Sequence, residues 1–277
     1  MKGILRSVWS VVGWAYSIAV LAFLFLPALI IVPASLSDSE MLEFPPRDLT
    51  LRWYEAILSS EPWLSSARMS LWLSLGAALV ATLVAILVAL SQLLHGNVSP
   101  AMRGYLSAPI AAPHVIVATG LFSVFLYGGF GLGELWSLIL VNAAIALPLA
   151  IAALLPAFEG IDPQLWTAAS TLGARPFRIL RSIILPVVGT NVIAALILTF
   201  HSSWDETTFS VFIGPTVTPF LPSRMFSYLQ QNVTPEIAAV ATLLLIISLL
   251  GGALILLIRR PRHAGRRKNA KTAGGIE

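Results

Sequence analysis

Six stretches of the chain run without Asp, Glu, Lys or Arg. They lie between Arg6 and Asp38, Arg68 and Arg103, Arg103 and Glu134, Glu134 and Glu159, Arg181 and Asp205, and Glu236 and Arg259. The shortest, 237–258, holds 22 residues, and about 20 apolar residues cross a hydrocarbon core as a helix. The pattern predicts an all-α membrane protein with six transmembrane helices, over 10–33, 69–94, 105–127, 135–155, 187–208 and 237–258. A seventh window, 207–223, holds 17 residues and contains Gly214, Pro215, Pro219 and Pro222. It is too short and too broken to span. Pro109, Pro113 and Pro148 fall inside predicted spans, where they kink helices and free backbone groups that neighbours or water must satisfy. Such prolines fit packing irregularity and a bundle lining a path equally well.

The polar segments between spans differ in kind. Residues 34–68 carry Asp38, Glu40, Glu43, Asp48, Glu55 and Glu61. Within them DLTLRWYEAIL (48–58) has helical spacing of Leu51, Tyr54 and Leu58, and Trp53 and Trp63 suit a membrane interface. The segment 159–186 is the unusual one. Turns inside helical bundles usually take two to eight residues, yet this one runs for 28. It carries Arg175, Arg178 and Arg181. Three arginines at the centre of a span would cost about 8–10 kcal/mol on the insertion scale, so the segment stays in water or at the interface. Leu165, Trp166, Ala169 and Leu172 share one helical face. Gly173 suits a left-handed cap, and Pro176 suits the first turn of a second helix. In that helix Phe177, Leu180 and Ile184 form an apolar arc beside the arginines. Two short amphipathic helices joined at Gly173 are therefore expected, either lying on lipid or docking a partner.

Charge sets an orientation. With the N-terminus inside, Lys2, Arg6, Arg103, the three loop arginines and all seven basic residues after Ile258 face the cytoplasm. Only Arg47, Arg52, Arg68 and Arg224 then lie outside, so the positive-inside rule predicts both termini in the cytoplasm. The N-terminal segment 1–9 and the basic tail 259–277 are read as cytoplasmic, the tail being drawn to anionic lipid rather than to nucleic acid. Mean hydropathy is +0.86, and only 11% of residues are charged, against about a quarter in soluble domains. The first apolar run has no small-residue cleavage site and reads as a retained span. With no cysteine, thiolate metal sites and thiol nucleophiles are excluded. There is no His-Glu-x-x-His zinc motif, no nucleophile motif and no Gly-x-x-x-x-Gly-Lys phosphate loop. Neither an intramembrane enzyme nor an ATPase is expected, and no metal or cofactor is expected on this chain. A gradient-driven secondary transporter is disfavoured by charge-free spans and the lack of an internal repeat.

The segment AASTLGARPFRILRSIILP (168–186) resembles the cytoplasmic loop motif of permease subunits of binding-protein-dependent ABC importers. Ala168, Ala169, Gly173, Ala174, Phe177, Leu185 and Pro186 match that motif, and Thr167 stands where the family usually has Glu. WDETTFSVFIGPTVTPFLPSRMFSYLQQNVTPEIAAVATLLL (204–245) is similar to the C-terminal part of the spermidine/putrescine-type branch, and DLTLRWYEAIL to its outside helix before span two. The resemblance covers roughly 45–258. It implies the six-helix type I importer fold in a bacterial inner membrane. It also implies a second permease subunit, a different chain in this branch, two cytoplasmic ATPases holding ATP and Mg²⁺, and an external solute-binding protein. The ATPase-docking residues it implies are Trp166, Thr167, Ala168, Ala169, Leu172, Gly173, Ala174, Phe177, Arg178 and Arg181. As solute the resemblance implies a polyamine or related cation, or another small organic solute such as an amino-acid derivative or opine.

Six residues are candidates for the solute path. Asp205 and Glu206 form the chain's one adjacent acidic pair, and charged groups near membrane depth usually face a cavity or a partner. Trp204 and Phe209 offer cation–π faces beside them. His114 and His201 fall within predicted spans three and five. The bland alternatives are an interfacial helix end and hydrogen-bonded packing histidines. Arg224 is expected to fix its loop to an acidic neighbour.

Overall fold

The computed structural model describes residues 2–96, 99–231 and 233–258. The tail 259–277, with the seven basic residues assigned to the cytoplasm, lies outside the described residues. Twelve helices are formed among those described: α1 (Lys2–Ala34), α2 (Arg52–Ser59), α3 (Glu61–His95), α4 (Pro100–Ala111), α5 (His114–Gly128), α6 (Leu135–Glu159), α7 (Pro163–Thr171), α8 (Pro176–Ile179), α9 (Leu185–Trp204), α10 (Thr208–Ile213), α11 (Leu221–Gln231) and α12 (Pro235–Ile258). Five stretches are long and apolar enough to cross a membrane: Val12–Ala34, Glu61–His95, Leu135–Glu159, Pro176–Trp204 and Pro235–Leu257.

The third expected span, 105–127, is not one helix. It divides into α4 and α5, which meet at a bend of 92°. The cause is local. Pro113 has no N–H and crowds the residue before it, and Ala112 accordingly sits at ψ 130° in extended backbone. Pro109, by contrast, stays inside α4. Ser99 starts α4 by accepting a hydrogen bond from Met102 N–H at 3.2 Å.

Contacts divide the chain into two units, Met1–Arg68 with Phe220–Ser248, and Met69–Pro219 with Leu249–Glu277. In the first, α2 is tied to the loop that follows α1. Trp53 Nε1 donates to Ser37 O at 2.8 Å, Tyr54 OH meets Ser35 Oγ at 2.6 Å, and Arg52 pairs with Asp38. At the start of α3, Trp63 is buried and donates to Glu236 Oε1 at 2.7 Å. Tyr228 OH donates to the other carboxylate oxygen at 2.6 Å. Burial, followed by that hydrogen bond, raises the Tyr228 hydroxyl above the ordinary tyrosine pKa, so it remains the donor. The expected acidic partner of Arg224 is not found. Its Nε donates to Ser66 Oγ at 2.6 Å, and its guanidinium stands 6.0 Å from the Trp63 ring centre. Glu236 is already satisfied by Trp63 and Tyr228.

The second unit packs α3, α6 and α9 through small residues. Ala77, Ala81, Ala143 and Ala146 form one buried seam, and small side chains let helix backbones approach closely in lipid. A larger core gathers Ala85, Ala89, Leu154, Phe158, Ile179, Ile184 and Val188. α10 ends where Gly214 N–H returns to Ser210 O at 3.1 Å. A Cβ on Gly214 would lie 2.2 Å from that carbonyl oxygen. Gly214→Ala is therefore expected to lower stability by about 1–3 kcal/mol, read as a lower melting temperature of the detergent-purified chain.

Candidate functional site

The segment 159–186 folds as a joint. Asp162 caps α7, its Oδ1 accepting from Gln164 N–H at 2.9 Å. Pro163 occupies the first turn. At the other end Gly173 adopts φ +81°. Its N–H donates to Ser170 O at 3.0 Å, and Ala174 N–H donates to Ala169 O at 3.1 Å. Those two bonds are the Schellman pair, which satisfies carbonyls that a helix end leaves open. Pro176 then opens α8, with Arg175 just before it.

The second arm is not a separate short helix. Residues Pro176–Trp204 run as one helix of 29 residues, so the helix that carries span five begins about a dozen residues before the expected span. Between α8 and α9 lies a π-turn, Leu180–Ile184, in which Leu185 N–H bonds to Leu180 O five residues back. Packing explains the wide turn. Ile179 and Ile184 are both fully buried in the large core. Five residues of α-helix would turn them about 140° apart. The π-turn absorbs the extra residue and brings both onto one face.

The faces of the joint divide cleanly. Ala169 is buried and Trp166 and Ala174 pack against the core. Thr167, Ala168, Gly173, Arg175, Arg178 and Arg181 are exposed. Two large apolar side chains stand in the open beside them, Leu172 at 88% and Phe177 at 72% exposure. The apolar arc expected from Phe177, Leu180 and Ile184 is thus split: Ile184 is buried, Leu180 half-buried and Phe177 exposed.

The path candidates meet at a corner between α5, α9 and α10. Glu206 has little solvent access, its side chain 11% exposed. Its Oε1 accepts from Thr208 N–H at 2.7 Å and Phe209 N–H at 3.3 Å, so it caps α10. Its Oε2 lies 3.3 Å from His114 Nδ1. His114 opens α5 just past the Pro113 break, and its ring meets Phe209 at 5.5 Å. Asp205 is more open and pairs with His201 one turn back at 3.4 Å. Phe209 is fully buried and Trp204 nearly so, and Trp204 stacks on Phe200 at 5.6 Å. Below them Ser203 Oγ donates to Asn142 Oδ1 at 3.3 Å, a buried polar link between α9 and α6. Asn142 was not singled out by its sequence context; a lone amide in an apolar run is the signal for such a link.

This architecture has counterparts of known kind. Residues 81–263 match the family described as binding-protein-dependent transport system inner membrane component. The chain belongs to that family. Its permease character extends over nearly the full length. It is 30% identical over 254 residues to the spermidine/putrescine transport system permease protein PotC of Escherichia coli, covering 91% of this chain and 96% of the relative. It is 27% identical over 252 residues to the putrescine transport system permease protein PotI of the same organism, with 87% of each chain covered. A crystal structure of a bacterial ABC transporter involved in alginate import shares the fold at TM-score 0.64, with 13% identity and coverage of 91% and 96%. The chain is thus a multi-pass inner-membrane permease subunit of the ABC importer kind, a non-catalytic component.

Proposed function

We propose that the chain is one of two permease subunits of an ATP-driven importer whose solute is a polyamine or a related organic cation. The partners are a second, different permease chain, two cytoplasmic ATPases that hold ATP and Mg²⁺, and an external solute-binding protein. Both termini then lie in the cytoplasm, and segment 159–186 meets the ATPases. The observation that carries this reading is the joint itself. Its inner face is packed onto the core while Leu172 and Phe177 remain in the open. Motion imposed on those side chains passes directly into α6 and into the continuous helix Pro176–Trp204. Closure of the ATPases would swing the spans between inward- and outward-open states.

The polyamine assignment leans on the likeness to PotC and PotI and on Asp205. Glu206 is committed to α10 and His114, which leaves Asp205 as the corner's accessible carboxylate. A second reading, another small organic solute selected by the binding protein alone, is favoured by that same commitment of Glu206. Asp205→Asn separates them. With a cationic solute, uptake by the reconstituted complex should fall about fivefold, equivalent to one screened contact of about 1 kcal/mol. Absence of polyamine uptake by the wild-type complex, with another organic solute carried equally well by Asp205→Asn, would favour the second reading. Transport that survives ATP depletion and collapses with the proton gradient would overturn both.

A further inference from the structure

The two halves of the broken third span are held differently. α5 buries Ala118 and is tied at its start to Glu206 through His114. α4 buries none of its described side chains, 101–111, although Leu106 rests on the large core. A groove of about 500 Å³ lies between Val84 and Leu87 of α3 and Met102 of α4. A second, of about 400 Å³, lies between Tyr105 and Ala108 of α4 and Leu147 of α6. Close-packed helices leave few voids larger than a water molecule. Apolar packing within the chain therefore does not fix α4.

A polar tie holds the end of α4 that lies away from the break. Arg103 donates to Glu159 Oε1 at 2.8 Å, and Gln92 Nε2 donates to the same oxygen at 2.9 Å. Gln92 is buried on α3, and Glu159 is the last residue of α6. Phe158 and Ile161, on either side of it, are buried in the large core. One carboxylate oxygen thus joins α4 to two helices that are themselves anchored. Glu159 also opens the segment 159–186, so the tie sits where the joint leaves the bundle.

The tie can break under a small motion. Arg103 lies about 14 Å along the helix from Ala112. A turn of about 10° at the Ala112–Pro113 break carries it about 2 Å, which takes such a hydrogen bond out of range. The Arg103 and Glu159 side chains are 43% and 40% exposed. An ion pair that open to water adds little to stability, and it can part and reform in each transport cycle.

We propose that Glu159 is a positioning residue for transport. It latches α4 onto α3 and α6, and release of Arg103 lets α4 swing about the Ala112–Pro113 break. The swing opens the bundle at the end from which the joint leaves. This rests on the reading of the chain as an ATP-driven permease, and it names the arm that moves and the group that holds it.

The chain has no cysteine, so spin labels can be confined to Ala101→Cys on α4 and Leu83→Cys on α3. Their separation is read in the complete complex in proteoliposomes. Arg103→Glu sets two carboxylates face to face. It should raise the fraction of molecules with α4 displaced about threefold, the scale of a part-exposed ion pair. Solute taken up per ATP hydrolysed should fall by a similar factor. The exchange Arg103→Glu with Glu159→Arg should restore both readouts. A control pair on α3 and α6, Leu83→Cys with Leu140→Cys, should keep its separation in every variant. Unchanged distances and unchanged uptake per ATP in Arg103→Glu would overturn the latch and leave the importer reading intact. So would an exchange that rescues neither readout, or displacement of α4 with no effect on uptake per ATP. If the control pair shifts as well, the contact serves general packing and the positioning role is wrong. A wild-type complex without ATP-driven uptake would instead fail the importer reading, and the label distances would still decide whether Glu159 holds α4.

Discussion

Gly173→Pro is expected to abolish ATP-driven uptake while leaving the chain inserted in the membrane. Gly173 holds φ +81°, and proline is fixed near −65°. Proline also removes the N–H that closes the α7 end onto Ser170 O. The Schellman bonds and the left-handed turn would both be lost, and with them the present setting of α7 against α8. Gly173→Ala gives the graded control. No atom lies within 4 Å of a Cβ added there, so its penalty is conformational alone, about 1–2 kcal/mol. Partial uptake is expected for alanine and uptake at least tenfold below wild type for proline, measured in proteoliposomes with all subunits present. Gly173 lies outside every helix long and apolar enough to span, so membrane extraction and detergent melting should change little. Wild-type uptake in the proline variant would remove the joint from the mechanism.

Glu206→Ala should produce the largest loss of stability at the corner. The side chain accepts two backbone N–H groups of α10 and faces His114 Nδ1. Deleting it strands three polar partners in a site with little water, at about 1–3 kcal/mol for a buried donor left unpaired. A total of about 2–4 kcal/mol is expected, because α10 can recover some bonds by relaxing. Glu206→Gln keeps an acceptor for the helix N–H groups and should retain most of that stability. Melting of the purified chain measures both. Equal melting of Ala and Gln variants would show that the cap contributes nothing, and would return Glu206 to the list of groups free to meet solute.

How far the sequence exposed this structure depends on the range of each interaction. The joint was legible because its signals are local: Gly173 ends one helix and Pro176 starts the next, while the Asp162 cap that starts the first helix went unread. The break in the third span was written ambiguously. Pro109 and Pro113 carry the same warning, yet α4 tolerates the first and ends at Ala112 before the second. A hydropathy window sees neither. The corner was legible as a cluster of acids but not as a division of labour, since His114 and Glu206 lie 92 positions apart and meet only in the folded chain. Arg224 was paired with the wrong chemistry for the same reason. Its oxygen partner, Ser66, lies 158 positions away, and the carboxylate of Glu236 is held by Trp63 and Tyr228. The helix around span five is longer than the expected span because Arg178 and Arg181 end the apolar window while the backbone helix continues through them.

The wide turn at Leu180–Ile184 governs how this loop could be exchanged with that of another permease. It takes one residue more than an α-turn while keeping the helix on course. A residue-for-residue graft onto a recipient that is plain α-helix across these five positions would turn the transplanted loop by about 100° around the helix axis. Phe177 would then face away from the side on which it is exposed here, although every transplanted residue would be correct. Shortening the junction by the exposed Ser182 would restore the phase, so chimeras of this loop should be aligned by the buried pair Ile179 and Ile184 and allowed a gap of a single residue between them.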